Sequence, residues 1–221
     1  MSVLLRRYTK ALSAFESIVP RTAECLAHIA SCHNNIGMLH WHLGANDAAL
    51  NAYRTALRMR EELHGKAHPI VANQRNNIAI VLAQQGLLDE AIAMWKTVAA
   101  MQREHGAPPA ELANTYNNMG VVLKEQGKVA VAIKMHQAAL DLRGSPEGAD
   151  AAVADILYNL ACCSSLASKA GAALEYLAKA VDAGFDDVAQ LRKNEDLRAC
   201  RNFKKPRFDE ILKLAASKRK Q

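Results

Sequence analysis

Residues 76–98 read NNIAIVLAQQGLLDEAIAMWKTV, and this stretch decides the fold. Its opening pattern, a pair of asparagines followed by an apolar and a small residue, occurs at residues 34–37, 76–79 and 117–120, and with tyrosine in first place at 158–161. The copies are separated by 42, 41 and 41 residues. A fixed period of this length indicates stacked copies of one small structural unit.

Each copy continues with the same landmarks. Seven residues after the small residue stands a turn residue: Gly44, Gly86, Gly127 and Ser168. Five residues later stands an alanine: Ala49, Ala91, Ala132 and Ala173. Four residues later comes a large side chain, the large-residue position: Tyr53, Trp95, His136 and Leu177. This spacing predicts a hairpin of two helices, in which small residues on the first helix let the second approach and the large residue fills the space beside them.

These hairpins resemble the tetratricopeptide repeat, although its usual period is about 34 residues. The additional residues lie between hairpins, where Gly65-Lys66-Ala67-His68-Pro69 precedes an asparagine pair, as in the repeats of kinesin light chains. The junctions at 106–109 and 144–148 keep glycine and proline but lose the histidine. The resemblance covers about residues 21–183 and implies an all-α, right-handed solenoid of about four hairpins. It does not extend to a whole kinesin light chain, because no sustained heptad segment is present.

The predicted repeats cover about residues 30–63, 72–105, 113–143 and 154–183. Residues 1–20 are expected to form the second helix of an incomplete leading repeat, because Ala11, Phe15 and Ile18 have the spacing of that helix. The basic residues of the same segment leave a mitochondrial targeting helix as the alternative. Residues 184–221 are expected to form a cap and a basic tail.

The cap is expected at residues 206–216, because an open last repeat needs a cover for its apolar face. The apolar side chains of this segment are Phe208, Ile211, Leu212 and Leu214.

The asparagine pairs are expected to line the concave groove that the resemblance implies. A primary amide offers two donors and an acceptor, which suits the backbone of an extended peptide. The predicted partner-binding residues are Asn34, Asn35, Met38, Trp41, Asn76, Asn77, Ile80, Asn117, Asn118, Val121, Lys124 and Asn159. In the alternative interpretation the asparagines bond to neighbouring helices and stabilise the stack. The members of the family that clamp a C-terminal carboxylate carry lysine where this chain has Asn34, so a carboxylate clamp is not expected.

The sequence predicts a non-catalytic protein-interaction scaffold or adaptor with no cofactor and no metal. Cys25, His28 and Cys32 share one helical face but match no common zinc spacing. No phosphate-binding glycine loop or ordered Ser/His/Asp set is present. The expected partner is an extended or helical protein segment.

The net charge of +6 comes entirely from residues 201–221, which hold eight basic and two acidic residues. RNA or an acidic protein tail is therefore expected to contact only residues 204–221, through Lys204, Lys205, Arg207, Lys218, Arg219 and Lys220. A second hypothesis follows, in which the chain is a structural subunit of an axonemal, cytoskeletal or mitochondrial ribonucleoprotein complex.

Five cysteines without a C-x-x-C pair favour a reducing compartment, and no apolar run has membrane-spanning length. The expected location is the cytoplasm, with association to the cytoskeleton or a cilium, and the mitochondrial matrix is the alternative.

Overall fold

The computed structural model describes residues 2–18, 22–144 and 150–218, and it divides into two compact units, residues 1–107 and 108–221. The described residues form α-helices, one short 3₁₀ helix and turns, with no β-strand. The prediction of an all-α fold built from repeating helical hairpins is therefore confirmed.

Unit 1, residues 1–107, consists of a single helix and two hairpins. The single helix is α1 (Ser2–Glu16), and the hairpins are α2 (Ala23–His42) with α3 (Asn46–His64) and α4 (Pro69–Gln84) with α5 (Leu88–Glu104). The ring of Phe15 stacks on His28 with 5.0 Å between the ring centroids, which fixes α1 against α2.

Unit 2, residues 108–221, consists of two hairpins and a group of short helices. The hairpins are α6 (Pro109–Glu125) with α7 (Val129–Arg143) and α8 (Ala151–Leu166) with α9 (Ala170–Asp182). The remaining helices are α10 (Val188–Lys193), the 3₁₀ helix Glu195–Leu197, α11 (Arg198–Phe203) and α12 (Lys205–Lys218).

Three of the four first helices, α2, α4 and α8, begin at side-chain caps, whereas α6 begins after Pro108 without one. The hydroxyl of Thr22 accepts a hydrogen bond from the backbone N–H of Cys25 at 3.2 Å, and the carboxylate of Asp150 accepts one from Ala152 at 2.8 Å. Such caps stabilise a helix by roughly 1 kcal/mol each.

The turns within the hairpins need a residue with positive φ. Gly86 has a φ of 78°, and Ser168, at the equivalent position of the last hairpin, has a φ of 59°. A non-glycine residue in this left-handed region costs about 1 kcal/mol.

The two helices of a hairpin meet where a small residue faces the large-residue position. A Cβ atom added at Gly37 would lie 2.7 Å from the Cδ1 of Tyr53, and one added at Gly120 would lie 2.6 Å from the Cε1 of His136. Both distances are far shorter than a van der Waals contact. The missing side chain therefore sets how closely the helices approach.

The end of unit 2 is covered by α12, as the cap prediction required. Phe208, Ile211 and Leu212 are buried in one cluster with residues of α8 and α9. Leu214 differs from the expectation, because it is 40% exposed. The buried positions of α12 are spaced by three and four residues and continue to Ala215, so Leu214 lies off that face.

His136 is buried and neutral. Its Nδ1 lies 2.9 Å from the Oδ1 of Asn117 and donates to it, while its Nε2 is buried and has no partner among the described residues. Burial, followed by the charge of Lys124, lowers the pKa of His136 to about 4. Protonation would place an N–H at Nε2 where no acceptor is present, which is why the buried ring resists the charge.

We expect Gly37→Ala to destabilise the protein, because the new methyl group would overlap the buried ring of Tyr53. Overpacking costs about 1 to 3 kcal/mol, which exceeds the helix-propensity gain of up to about 1 kcal/mol. Urea unfolding followed by circular dichroism measures the difference. Gly171→Ala is the matched control, since its nearest outside neighbour is Phe203 at 4.0 Å, and it should not lower stability. Equal effects at the two glycines would contradict the close-contact argument.

We expect the titration of His136 to lower the free energy of unfolding as the pH falls from 6.5 towards 4. In this window the unfolded chain binds a proton at His136 and the folded protein does not, so the free energy of unfolding decreases with falling pH. The contribution by pH 4 is about 3 kcal/mol. Urea midpoints of wild type and His136→Trp between pH 7 and 4.5 measure it. Tryptophan is the matched replacement, because Trp95 in the equivalent position donates to Asn76. An identical pH dependence in the variant would refute the assignment.

Candidate functional site

A pocket of about 160 Å³ lies in unit 1 and is lined by residues of α2, α3 and α4. The lining residues are Asn34, Met38, Trp41, His42, Tyr53, Asn77 and Ile80. Five of these residues are predicted partner-binding residues: Asn34, Met38, Trp41, Asn77 and Ile80. The structure therefore brings part of the predicted site together at one place.

The helical period explains why these side chains share the pocket. Asn34, Met38 and Trp41 are spaced by four and three residues on α2, so they follow one face of that helix. Asn77 and Ile80 are spaced by three residues on α4. Tyr53 of α3 also contributes, and it approaches α2 this closely because Gly37 has no side chain.

In unit 1 the asparagines hydrogen-bond to neighbouring side chains. Asn77 Nδ2 donates to Asn34 Oδ1 at 3.2 Å, and Asn34 Nδ2 donates to Asn35 Oδ1 at 3.3 Å. Asn76 faces the other helix of its own hairpin, where its Oδ1 accepts a hydrogen bond from the indole Nε1 of Trp95 at 2.8 Å. The first asparagine of this pair therefore serves packing within the hairpin, and the second links two hairpins.

Unit 2 repeats both kinds of contact. The Oδ1 of Asn117 accepts from His136 within the hairpin and from Asn159 Nδ2, at 3.1 Å, in the next hairpin. Asn118 and Val121 are half-buried on α6. The helix-stabilising role that the sequence left as an alternative is thus visible in the bonds of Asn76, Asn117 and Asn159. The sequence spacing could have predicted this role. Asn76 and Asn117 each stand 19 residues before a side-chain ring that carries an N–H group, Trp95 and His136 respectively.

The equivalent face of unit 2 contacts residues of the chain's own C-terminal part. Lys124 forms an ion pair with Asp196, and Asn194 Nδ2 donates to the hydroxyl of Tyr158 and to Cys162 Sγ. Tyr158 and Cys162 hold the places on α8 that Asn34 and Met38 hold on α2. Burial alone would lower the pKa of Lys124, but the hydrogen bond and charge of Asp196 raise it. Sequence analysis did not predict these contacts.

The surface formed by α2 and α4 carries almost no charge. Apart from histidines, these two helices contain only Glu24 and Arg75 as ionisable charged residues. Arg75 donates to Glu61 at 2.8 Å and is therefore neutralised by an ion pair. Burial raises the pKa of Tyr53 to about 12, so its hydroxyl stays protonated. The pocket offers amides, a phenol, an indole, the imidazole of His42 and apolar groups.

The cysteine and histidine residues near the N-terminus take part in packing. Cys25 Sγ donates to the carbonyl oxygen of Phe15 at 3.3 Å, and Cys32 is buried. Within residues 2–18, 22–144 and 150–218, no three side chains of His, Cys, Asp or Glu are grouped as metal ligands. None of the helices in these ranges has the length and apolarity needed to cross a membrane.

The basic tail is only partly available for binding. Lys204 and Lys205 are exposed, whereas Arg207 forms an ion pair with Glu210 at 2.9 Å and Lys218 donates to the carbonyl oxygen of Asp182 at 2.8 Å. Arg219 and Lys220 lie outside the described residues. Phe203, directly before the two exposed lysines, is 57% exposed.

Solved structures with a similar fold include the following three proteins. BtubC (BKLC) from P. vanneervenii is 20% identical over 98% of this chain and 75% of that chain, with a TM-score of 0.65. The MamA protein is 19% identical over 86% and 92%, with a TM-score of 0.58. A Podosopora anserina protein described as a kinesin light chain with nearly identical TPR-like repeats is 14% identical over 88% and 96%, with a TM-score of 0.67.

The sequence itself matches a family profile. A search of curated proteins found no significant match. The profile described as tetratricopeptide repeat matches residues 28–104 and 111–183, which is more than half of the chain. These ranges cover most of each of the four hairpins, including the repeated asparagine positions and the large-residue positions. The chain therefore belongs to the tetratricopeptide repeat family.

Proposed function

We propose that this protein is a scaffold that binds an extended or helical segment of a partner protein, with the pocket of unit 1 as the principal contact. The tetratricopeptide fold supports protein–protein interaction, and its family is typically non-catalytic. The observation that carries the proposal is the convergence of Asn34, Met38, Trp41, Asn77 and Ile80 on one pocket.

The pocket combines apolar contact with unused hydrogen-bonding capacity. Met38 and Ile80 supply apolar surface, and the hydrogen bond to Asn34 uses only one N–H of Asn77. The carbonyl oxygen and second N–H of Asn77 suit the backbone of a bound segment. In unit 2, Asn118, Val121 and Asn159 would serve the equivalent face, where Lys124 is already paired with Asp196.

We expect Met38→Glu to abolish capture of the partner segment, because the carboxylate would have to lose water against an apolar ligand with no lysine or arginine lining the pocket. The measurement is affinity purification of the tagged chain from its own cells, followed by quantitative mass spectrometry. A specific partner should fall by at least about tenfold, which corresponds to roughly 1.4 kcal/mol.

Leu87→Glu is the matched control, because Leu87 is 42% exposed and Met38 is 40% exposed in the same unit, while Leu87 is not a lining residue. The control should retain the partner. Equal retention by Met38→Glu and wild type would reject the pocket as the partner site.

We propose the cytoplasm as the compartment, with the mitochondrial matrix as the alternative. The five cysteines are buried and unpaired, which suits a reducing environment. Association with the cytoskeleton or a cilium is part of the same proposal, prompted by the repeat subclass.

A second candidate function is a structural subunit of a larger assembly, axonemal, cytoskeletal or mitochondrial ribonucleoprotein, held at its basic end. The exposed Phe203 favours RNA there, because it could stack on a base beside Lys204 and Lys205. The Nζ of Lys204 lies 5.6 Å from the centroid of that ring. Deleting residues 204–221 is a poor test, since it would remove the buried Phe208 and Ile211.

For this second function we expect Lys204→Glu/Lys205→Glu to weaken binding of a single-stranded oligouridine probe and to lower its salt dependence, by about one counterion per lysine. Lys96→Glu/Lys134→Glu makes the same change in net charge at exposed residues of α5 and α7, and should have little effect. Fluorescence anisotropy over a range of salt concentrations measures both variants. Equal losses in the two variants would indicate nonspecific attraction and contradict a site at the basic end.

A further inference from the structure

The size of the unit 1 pocket limits what can enter it. Its volume is about 160 Å³. An engineered apolar protein cavity of about 150 Å³ binds a single benzene molecule. The pocket therefore has room for one side chain of the size of leucine or phenylalanine, and it is too small for two such groups.

The charge of the surrounding surface limits the chemistry of the ligand. Glu24 and Arg75 are the only carboxylate and the only lysine or arginine side chains on α2 and α4, and Arg75 is paired with Glu61. No Asp, Glu, Lys or Arg side chain lines the pocket, and His42 is its one imidazole. A carboxylate, ammonium or guanidinium group of a ligand would therefore lose its water there without gaining a fixed opposite charge, which is unfavourable. Charge complementarity thus favours a segment that is uncharged around its anchoring residue.

The polar atoms at the pocket match a peptide backbone. Trp41 is a lining residue, and its indole Nε1 is buried without a partner in the described part of the chain. That N–H is closed to solvent in the unbound protein, so an incoming carbonyl oxygen pairs with this unsatisfied donor once the Trp41 side chain turns towards the pocket. The free amide positions of Asn77 can take a backbone N–H and a second carbonyl oxygen.

We propose that the unit 1 pocket selects an uncharged partner segment that inserts one leucine- or phenylalanine-sized side chain and pairs its flanking backbone with Asn77 and Trp41. This inference rests on the proposed function, because it names the class of segment that the same pocket accepts. Binding of such a segment depends on apolar burial and neutral hydrogen bonds, and it is therefore nearly independent of salt.

The test is selection of heptapeptides from a random displayed library on the immobilised full chain. Wild type is compared with Ile80→Phe, which fills the pocket, and with Leu87→Phe, at an exposed residue of the same unit that does not line the pocket. Selected peptides should share one Leu, Ile, Met or Phe without neighbouring Asp, Glu, Lys or Arg. Synthetic versions should bind Ile80→Phe at least about tenfold more weakly than wild type and Leu87→Phe. Their affinity should change less than about twofold between roughly 50 and 500 mM salt.

A second measurement keeps the test independent of the folding of Ile80→Phe. The chain has two tryptophans, so its nitrogen–proton correlation spectrum has two indole signals. A selected peptide should shift the signal of Trp41 and leave that of Trp95, which is bonded to Asn76, in place. A peptide that shifts only Trp95, or neither signal, would overturn the inference.

The outcomes separate the two proposals. If peptides need Ile80 but share acidic or basic residues at a common position, or bind with strong salt dependence, the pocket binds a segment of another class and only this inference fails. If no selected peptide depends on Ile80, the pocket is not a segment-binding site, and the proposed function of unit 1 fails together with the inference.

Discussion

The first hairpin of each unit depends on one packing constraint: a glycine on the first helix has no side chain, and a large ring on the second helix fills the space that a side chain would occupy. Gly37 faces Tyr53 and Gly120 faces His136 at distances that leave no room for a single Cβ atom. Because interiors pack at high density, this contact fixes the separation and rotation of the two helices. It also determines which face of α2 points away from its partner helix. The residues that line the pocket of unit 1 take their positions from that packing.

The asparagines of the repeats have different hydrogen-bonding environments. Asn76 and Asn117 satisfy a ring N–H that is buried at the large-residue position, which would otherwise be a costly unpaired donor. Asn77 has a different environment, since it lies at the pocket and shares only one N–H with Asn34. Adjacent positions in the sequence therefore differ in role because they lie on different faces of α4.

The equivalent helical faces of the two units have different surroundings. In unit 1 the face of α2 and α4 borders a pocket. In unit 2 the side chains of Asn194 and Asp196 contact Tyr158 and Lys124 from the chain's own C-terminal part. Polar groups that are already paired gain little from an external ligand, because binding must first break an existing bond. Under the proposed function, this difference favours unit 1 as the place where a partner segment binds.

The sequence alone determined the helical hairpins, the turn residues and the cap, because these depend on local spacing and on a period that repeats along the chain. Helical periodicity also placed five of the seven pocket-lining residues on the predicted groove face, whereas His42 and Tyr53 were not among the predicted partner-binding residues. Only the tertiary structure decided how these residues are used. Asn77 and Asn34 are 43 residues apart, and Lys124 and Asp196 are 72 apart. No local pattern encodes such pairs, because each contact exists only after separate helices have packed together.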